Sequence, residues 1–507
     1  MGAAVGMAGV LAALSVTGDL ARGQPAGQAM CACLLATELG RRARLEEPDL
    51  GDVYYATLLR FAGCTATSHD IAAALAGDDV AVRARGDLLD PTQPAEVLAF
   101  LEDLGIGVER LQALGGPQGI AALRAEGARA DCEVGADLTR RLRLPLGVTR
   151  GVLESFERFD GHGVPDGKAG TEIAEAARFA ATGYAAVMFD GQGGPDLAAR
   201  AVARWSGRAL DPEIVAVFLD APGELLRLSD PEDVWGAVVA AEPGMSRLFR
   251  DEAALEEALA GFGDAADLKS PWFTGHSRGV ANLARTAAEK LAPDLVGTVF
   301  RAGLLHDLGR VAVPTGVWEK PGPLRPQEWE MVRLHPYQSG RILARSPLLA
   351  PLGSIAGRHH ERMDGSGYPA GIGASELDQG SRLLAAADVL HALGEARPHR
   401  AAFDPAAAAR LLSGLPLDRD AIRAVVDAAG APAPALPPLP ADLTERELMI
   451  LRRLVAGRSK REIASDLGIS QSTVHTHTVH VYSKCGVSTR AALAMFAMRQ
   501  GLTTPGG

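Results

Sequence analysis

The sequence predicts an all-α protein: two related helical units in tandem, followed by a small basic helical module. Three observations predict it. Apolar residues recur at helical spacing, and alternating runs that would read as strands are scarce. Three strings of the first half return in the same order in the second. A charge-free Pro/Ala stretch, APAPALPPLP at 431–440, then sets off a C-terminal segment with its own helix-capping signals.

The bulk properties narrow the classes. The chain has 507 residues, room for about three domains, and at 47% apolar each can bury a core. Ala is abundant and aromatics make up only 5%, a balance that favours closely packed helices. A net charge of −11 excludes a polycation that coats nucleic acid along its whole length. The five cysteines, Cys31, Cys33, Cys64, Cys132 and Cys485, include no CxxC pair, which argues against a disulfide framework or a Cys-based zinc site. Residues 1–16 are apolar without a basic start and read as a first helix rather than a signal peptide. No run approaches the ~20 apolar residues of a membrane span. The expected compartment is the cytoplasm, with no membrane partner.

The repeat defines the first two units, about 1–265 and 266–430. GDVYYATLLRFAGC (51–64) aligns with GTVFRAGLLHDLGR (297–310), and ESFERFDGHGVP (154–165) with RHHERMDGSGYP (358–369). RGQPAGQAMCACLLATEL (22–39) can be laid on TGHSRGVANLARTAAEKL (274–291). The copies differ where chemistry would lie. Gln24 stands opposite His276, Arg60-Phe61 opposite His306-Asp307, Ser155-Phe156 opposite His359-His360, and Tyr184 opposite Asp388. The first unit is expected to keep the fold and lack a metal. Two glycine-rich strings, DGHGVPDG (160–167) and DGQGGPD (190–196), read as loops rather than phosphate cradles.

In the second unit His276 lies one turn before Val280 on an apolar helix face, and His306 continues the face of Val299 and Ala302. Asp388 lies one turn after Leu384. With His335, His359, His360 and Asp307 these make seven candidate ligands, too many for one tetrahedral ion. They suit two six-coordinate ions bridged by Asp307. Mixed imidazole and carboxylate ligation favours Fe or Mn over Mg. Two such ions ~3.5–4 Å apart can activate water and stabilise an in-line phosphoester displacement. Any one of these histidines alone would read as an ordinary core residue; the joint pattern is what carries the inference.

The strings HDLGR, KPGPL (320–324), LHPYQSGRIL, HHERMDGSGYP and AADVLHAL resemble the HD-GYP subgroup of the HD phosphohydrolase superfamily, over roughly 270–400. The resemblance implies an HD-type helical fold, with the first unit a degenerate copy, and hydrolysis of cyclic di-GMP at a metal centre, usually iron or manganese. By motif position, His276, His306, Asp307 and Asp388 would hold one ion, and His335, His359 and His360 the second, sharing Asp307. Asp307 and Arg310 would be catalytic, and Arg310, Lys320, Gly367, Tyr368, Pro369 and His391 would meet substrate. Arg310 replaces the usual lysine, His391 stands where many members have Asp, and Trp272 replaces the Glu of trimetal members, so two metals are expected. Gly365 and Gly367 are expected to permit positive φ, and Glu361 is either a partner of a ligand histidine or a surface carboxylate.

The segment 441–507 carries nine Lys and Arg against five Asp and Glu, an asymmetry that suggests nucleic-acid contact. Thr444 with Glu447 forms a capping box for a first helix. Residues 459–468 form a second, closed by Gly468, and Ser470 caps a third over 471–486. This is the helix-turn-helix plan. LTERE, REIASDLGIS, TVHTH, KCGVSTRA and a closing GL resemble the LuxR-type DNA-binding domain across 441–503. The resemblance makes 471–485 the recognition helix, with Ser470, Thr473, His475, His477 and Lys484 on DNA, Arg461 and Arg490 on its backbone, and a homodimer on two half-sites. His475 replaces a common Lys, so weaker and more pH-sensitive DNA binding is expected.

The combined expectation is a bacterial transcription regulator carrying a dinuclear metal phosphodiesterase for cyclic di-GMP or a related nucleotide. The alternatives are a non-catalytic nucleotide sensor and a hydrolase of another phosphoester.

Overall fold

The computed structural model describes residues 6–75, 77–430, 440–500 and 502. Among these the regular structure is helical, and β pairing is limited to isolated bridges. None of the described helices is long and apolar enough to cross a membrane. The chain divides into two compact units, Met1–Ala258 and Leu259–Gly507.

The first unit is built on α1 (Met7–Ala21), α2 (Gln28–Arg42), α3 (Glu47–Leu59), α4 (Gly116–Arg141), α5 (Leu146–Leu153) and α6 (Glu175–Gly193). Leu11, Leu14, Met30, Leu35, Leu39, Tyr54 and Leu58 fill its core. Asp19 at the end of α1 accepts from the N–H groups of Gly27 and Ala29 at 2.8 and 3.0 Å. It thereby satisfies donors that the start of α2 would otherwise leave orphaned.

The second unit repeats this plan with α7 (Glu252–Asp267), α8 (His276–Leu291), α9 (Val296–Leu305), α10 (His335–Leu343), α11 (Ala350–Ala356), α12 (Gln379–Leu393) and α13 (Arg419–Ala429). Asp267 at the end of α7 accepts from the N–H and hydroxyl of Ser277, both at 2.8 Å. Gly27 and Gly275 precede their helices with φ of 110° and 83°. These matched caps correct the sequence alignment: Gln28, and not Gln24, occupies the place of His276. The helix start is set by a remote aspartate, so the gap needed ahead of α2 is invisible in the string itself. The other pairings coincide. Arg60 and His306 both sit at helix C-termini, and Val164–Pro165 and Tyr368–Pro369 are both cis. Two expectations shift. Asp190–Gly193 belong to α6 and form no loop, and α7 runs across the expected boundary at 265/266.

Within 431–440, residues 431–439 lie outside the described residues. Beyond them come α14 (Glu445–Val455), α15 (Lys460–Leu467), α16 (Gln471–Cys485) and α17 (Arg490–Arg499). Thr444 and Glu447 form the reciprocal capping box, Ser459 and Glu462 form another, and the Ser470 hydroxyl accepts from Thr473 N–H at 3.1 Å. Helix α17 was not legible in the sequence. Ala491–Met498 are buried throughout, so it has no polar face to mark a period.

Candidate metal centre

The seven candidate side chains come from the start of α8, the end of α9, the start of α10, the turn after α11, and α12. His276, His306, Asp307, His335, His359 and Asp388 are all at most 2% exposed, and His360 is partly buried. Their donor atoms fall into two groups, His276, His306, Asp307 and Asp388 in one, and His335, His359 and His360 in the other.

Asp307 joins the groups through different oxygens. Its Oδ2 lies 2.8 Å from His306 Nε2 and 3.3 Å from His276 Nε2. Its Oδ1 lies 3.2 Å from His335 Nε2 and 3.5 Å from His359 Nε2. Asp388 Oδ1 is 3.2 Å from His276 Nε2, and its Oδ2 is 3.8 Å from His360 Nδ1.

The backbone presets the imidazoles. The Nδ1 atoms of His306, His335 and His359 face the carbonyls of Gly303, Val332 and Ala356 at 2.8, 2.6 and 2.6 Å. Each carbonyl lies one helical turn back, so Nδ1 carries the proton and the Nε2 lone pair points inward. His276 differs: its Nδ1 is 2.9 Å from Glu395 Oε2. Glu395 is 6% exposed and also receives Arg397 Nη2 at 2.6 Å. The sequence reading missed Glu395. Its only signal was a place one turn beyond His391, past the end of α12.

Burial and the neighbouring His306 push His359 down to about 3, so its ring is neutral. Burial works against a charged His306, yet the carboxylates of Asp307 and Asp388 lift it to about 9. Burial alone would raise Asp307, but Arg310 and His306 hold its carboxyl well below the usual range. A buried anion thus sits between a charged His306 and a neutral His359.

The remaining candidates are placed as follows. Arg310 Nη2 is 2.6 Å from Asp307 Oδ2 and 3.4 Å from His276 Nε2, so a guanidinium stands among the first group. Its Nε and Nη1 are buried without hydrogen-bond partners. Tyr368 lies with its ring 4.7 Å from that of His360. His391 Nε2 is 3.3 Å from Glu395 Oε1, and its ring fits over Gly279, where a Cβ would meet it at 2.1 Å. Lys320 is held by Glu328 at 2.6 Å. Gly365 has φ +77°, but Gly367 does not have positive φ. What Gly367 provides is close approach, since a Cβ there would lie 2.4 Å from Glu361 Cα. Pro369 follows Tyr368 across a cis bond. Glu361 meets neither expectation. It is 1% exposed and accepts from the N–H groups of Ala370, Gly371 and Ile372 at 2.7, 3.2 and 3.1 Å, anchoring this loop.

In the C-terminal module Arg461, Ser470, Thr473 and His475 are exposed, and His477 and Arg490 are partly buried. Lys460 Nζ lies 3.0 Å from His475 Nδ1, a neighbour the sequence reading passed over. Lys484 is already engaged, with Nζ 2.7 Å from Glu447 Oε2 and 2.9 Å from the Asp442 carbonyl.

An adjacent His-Asp pair at a helix end, ringed by inward-facing imidazoles in an all-helical unit, defines a protein class. Residues 262–418 match the model of the HD domain family, and 441–497 match that of the bacterial regulatory proteins of the luxR family. The chain carries an HD domain joined to a LuxR-type helix-turn-helix domain. Among its relatives is the 3′3′-cGAMP-specific phosphodiesterase 3 of Vibrio cholerae serotype O1, 29% identical over 78% of this chain and 87% of that protein. A cyclic di-GMP phosphodiesterase of Pseudomonas aeruginosa is 36% identical over 31% of this chain and 39% of its own length. A crystal structure of a cyclic GMP-AMP-specific phosphodiesterase from V. cholerae superposes with a TM-score of 0.58 at 25% identity, covering 85% of this chain and 99% of that one.

Proposed function

We propose that this chain is a metal-dependent phosphodiesterase of cyclic dinucleotides that also binds DNA as a transcription regulator. The single observation that carries the reading is Asp307, whose two carboxylate oxygens each face a separate set of imidazole nitrogens. The donor set suits metal. Asp307 Oδ1, Asp388 Oδ1 and His306 Nε2 are buried without a well-directed hydrogen bond, an arrangement costly unless a cation completes it.

His276, His306, Asp307 and Asp388 would hold one ion, and His335, His359 and His360, sharing Asp307, a second. Iron or manganese suits these ligands better than magnesium. When bound, the pair would supply a hydroxide-forming water site and Lewis acidity toward a phosphoryl oxygen. The chain's own groups do the rest. The carbonyls behind His306, His335 and His359 and the carboxylate of Glu395 keep the imidazoles oriented. Arg310 has two buried N–H donors without a hydrogen-bond partner, which would donate to a non-bridging phosphodiester oxygen. Tyr368, beside His360, offers a ring against which a base can pack.

The C-terminal module would place α16 in the major groove, with Ser470, Thr473 and His475 toward DNA and Arg461 and Arg490 on phosphates. Lys460 joins this set, whereas Lys484, tied to Glu447, is withdrawn from it. A homodimer and a cytoplasmic location follow from this role.

A second reading is favoured by Arg310 itself. With its guanidinium 2.6 Å from Asp307, the site could bind a nucleotide and signal without cleaving it. Metal analysis of the purified protein, followed by incubation of Mn- and Fe-loaded enzyme with 3′3′-cGAMP and cyclic di-GMP, separates the two. Linear product supports hydrolysis. Tight binding without product supports the sensor, and metal-free protein that ignores both nucleotides rejects the metal-site proposal.

A further inference from the structure

The first unit lacks the histidines, and the rings of Phe61 and Tyr184 pack there with Met188, Phe156 and Trp205, yet polar groups are buried among them. At the four positions matching His276, His306, Asp307 and Asp388 stand Gln28, Arg60, Phe61 and Tyr184. Three of these carry polar atoms that are buried and unpartnered: Gln28 Nε2, Arg60 Nε and Nη1, and Tyr184 Oη. Gln28 and Tyr184 are only 7% and 6% exposed. Core substitution by chance would leave apolar side chains here, because each unsatisfied buried group is destabilising.

Arg60 makes one hydrogen bond, from Nη2 to the Ser155 carbonyl, and no ion pair among the described residues. The groups acting on it are Tyr184, Arg22, Cys132 and Cys64. Arg22 adds a second guanidinium, but Asp87 neutralises it. Burial pulls Arg60 down to about 10, which still leaves it charged at neutral pH. Arg60 is therefore a guanidinium without an ion pair among the described residues, and the residue is partly exposed.

The surroundings of Arg60 are aromatic. Phe61 lies 4.6 Å from Tyr184 and 6.1 Å from Phe156, and the guanidinium carbons of Arg22 and Arg60 are 4.2 and 5.3 Å from its centroid. A phosphodiester carries a single negative charge and accepts hydrogen bonds from N–H and O–H donors, and a nucleobase packs on aromatic faces. We infer that the first unit is a metal-independent binding site for a phosphodiester-bearing nucleotide, in which Arg60, Tyr184 and Gln28 take the place of the cations and hold the ligand without cleaving it.

The test uses the full-length chain carrying Asp307→Asn and stripped with EDTA, so it does not depend on hydrolysis by the second unit. Titration calorimetry with 3′3′-cGAMP should show one ligand per chain. Arg60→Met should weaken that binding about tenfold or more, the loss of a charge-assisted hydrogen bond. Tyr184→Phe, which removes a single oxygen, should weaken it severalfold with the fold intact. Without ligand, Arg60→Met should melt higher than its parent, because it removes an unpaired buried charge. Inorganic phosphate is titrated in parallel. Binding of phosphate with none of the dinucleotide would overturn the nucleotide assignment. Absence of metal-independent binding, affinity unchanged by both substitutions, or a lowered melting temperature for unliganded Arg60→Met would overturn the site altogether.

Discussion

Glu361 and Glu157 perform the same task in the two units. Glu361 takes the N–H groups of Ala370, Gly371 and Ile372, and Glu157 takes those of Asp166 and Lys168, at 2.8 and 3.0 Å. Each buried carboxylate thus ties down the loop that follows its cis proline. In the second unit that loop adjoins Tyr368, which lies beside His360. Glu361→Gln replaces an acceptor-only group with one that also presents an N–H₂ to backbone donors. It should cost about 2–3 kcal/mol, read as a lowered denaturation midpoint at unchanged slope. Wild-type stability in the variant would refute the anchoring role.

The loop also depends on Gly367, for a reason distinct from that of Gly365. At Gly367 an added Cβ would meet backbone at 2.4 and 2.5 Å, which no side-chain rotation can relieve. Gly365→Ala should cost about 1–2 kcal/mol, the usual penalty of a left-handed backbone. Gly367→Ala should cost roughly 1–3 kcal/mol more, because the backbone must separate. Equal midpoints for the two variants in urea would contradict this ordering.

Glu395 should matter to metal affinity without being a proposed ligand. Glu395→Gln leaves an amide opposite His276 Nδ1 and removes the charge that orients the ring. Loss of such a partner typically costs 10–100-fold in metal affinity. Competition with a chromophoric chelator would measure it, and circular dichroism would verify the fold. Unaltered metal retention would remove Glu395 from the centre.

The C-terminal module should be acid-sensitive through Glu447. Burial alone would raise this carboxyl, but Lys484, the Thr444 N–H and the Thr444 hydroxyl hold it at about 2, below its ordinary 4.5. A depressed folded-state pKa stabilises at pH values above 4.5, and that contribution fades as pH falls from about 4.5 toward 2. Melting of the module, followed through Tyr482, should decline over this window in the wild type and vary less in Glu447→Gln. Matching pH profiles would exclude the linkage.

Arg461, exposed at the start of α15, is proposed as a phosphate contact. Arg461→Ala should weaken DNA binding similarly for all sequences and lower the salt slope, −d log K/d log[salt], by about 1. A changed base preference at an unaltered slope would move Arg461 to base reading instead.

Much of this was legible as text. The three repeated strings, the seven His and Asp positions and the Thr444–Glu447 capping box all rest on local spacing, which helix geometry converts directly into faces and ends. Other features were not legible. Glu395 reaches His276 only because α12 lies against the start of α8. Glu361 was ambiguous because its partners lie in a loop still to be folded. Helix α17 had no polar face to declare its period, and Gln28 matches His276 only through aspartate caps contributed by the preceding helices.

The sequence by itself determined that this chain is helical, that its second unit concentrates imidazoles and carboxylates, and that its tail follows the helix-turn-helix plan. These are properties of residue type and period. The tertiary structure alone decided which oxygen of Asp307 faces which imidazoles, that Lys484 is engaged by Glu447, and that Arg60 stands charged and unpaired where the first unit has lost its histidines. Those outcomes depend on distances between groups remote in the chain, and such distances exist only once the helices have packed.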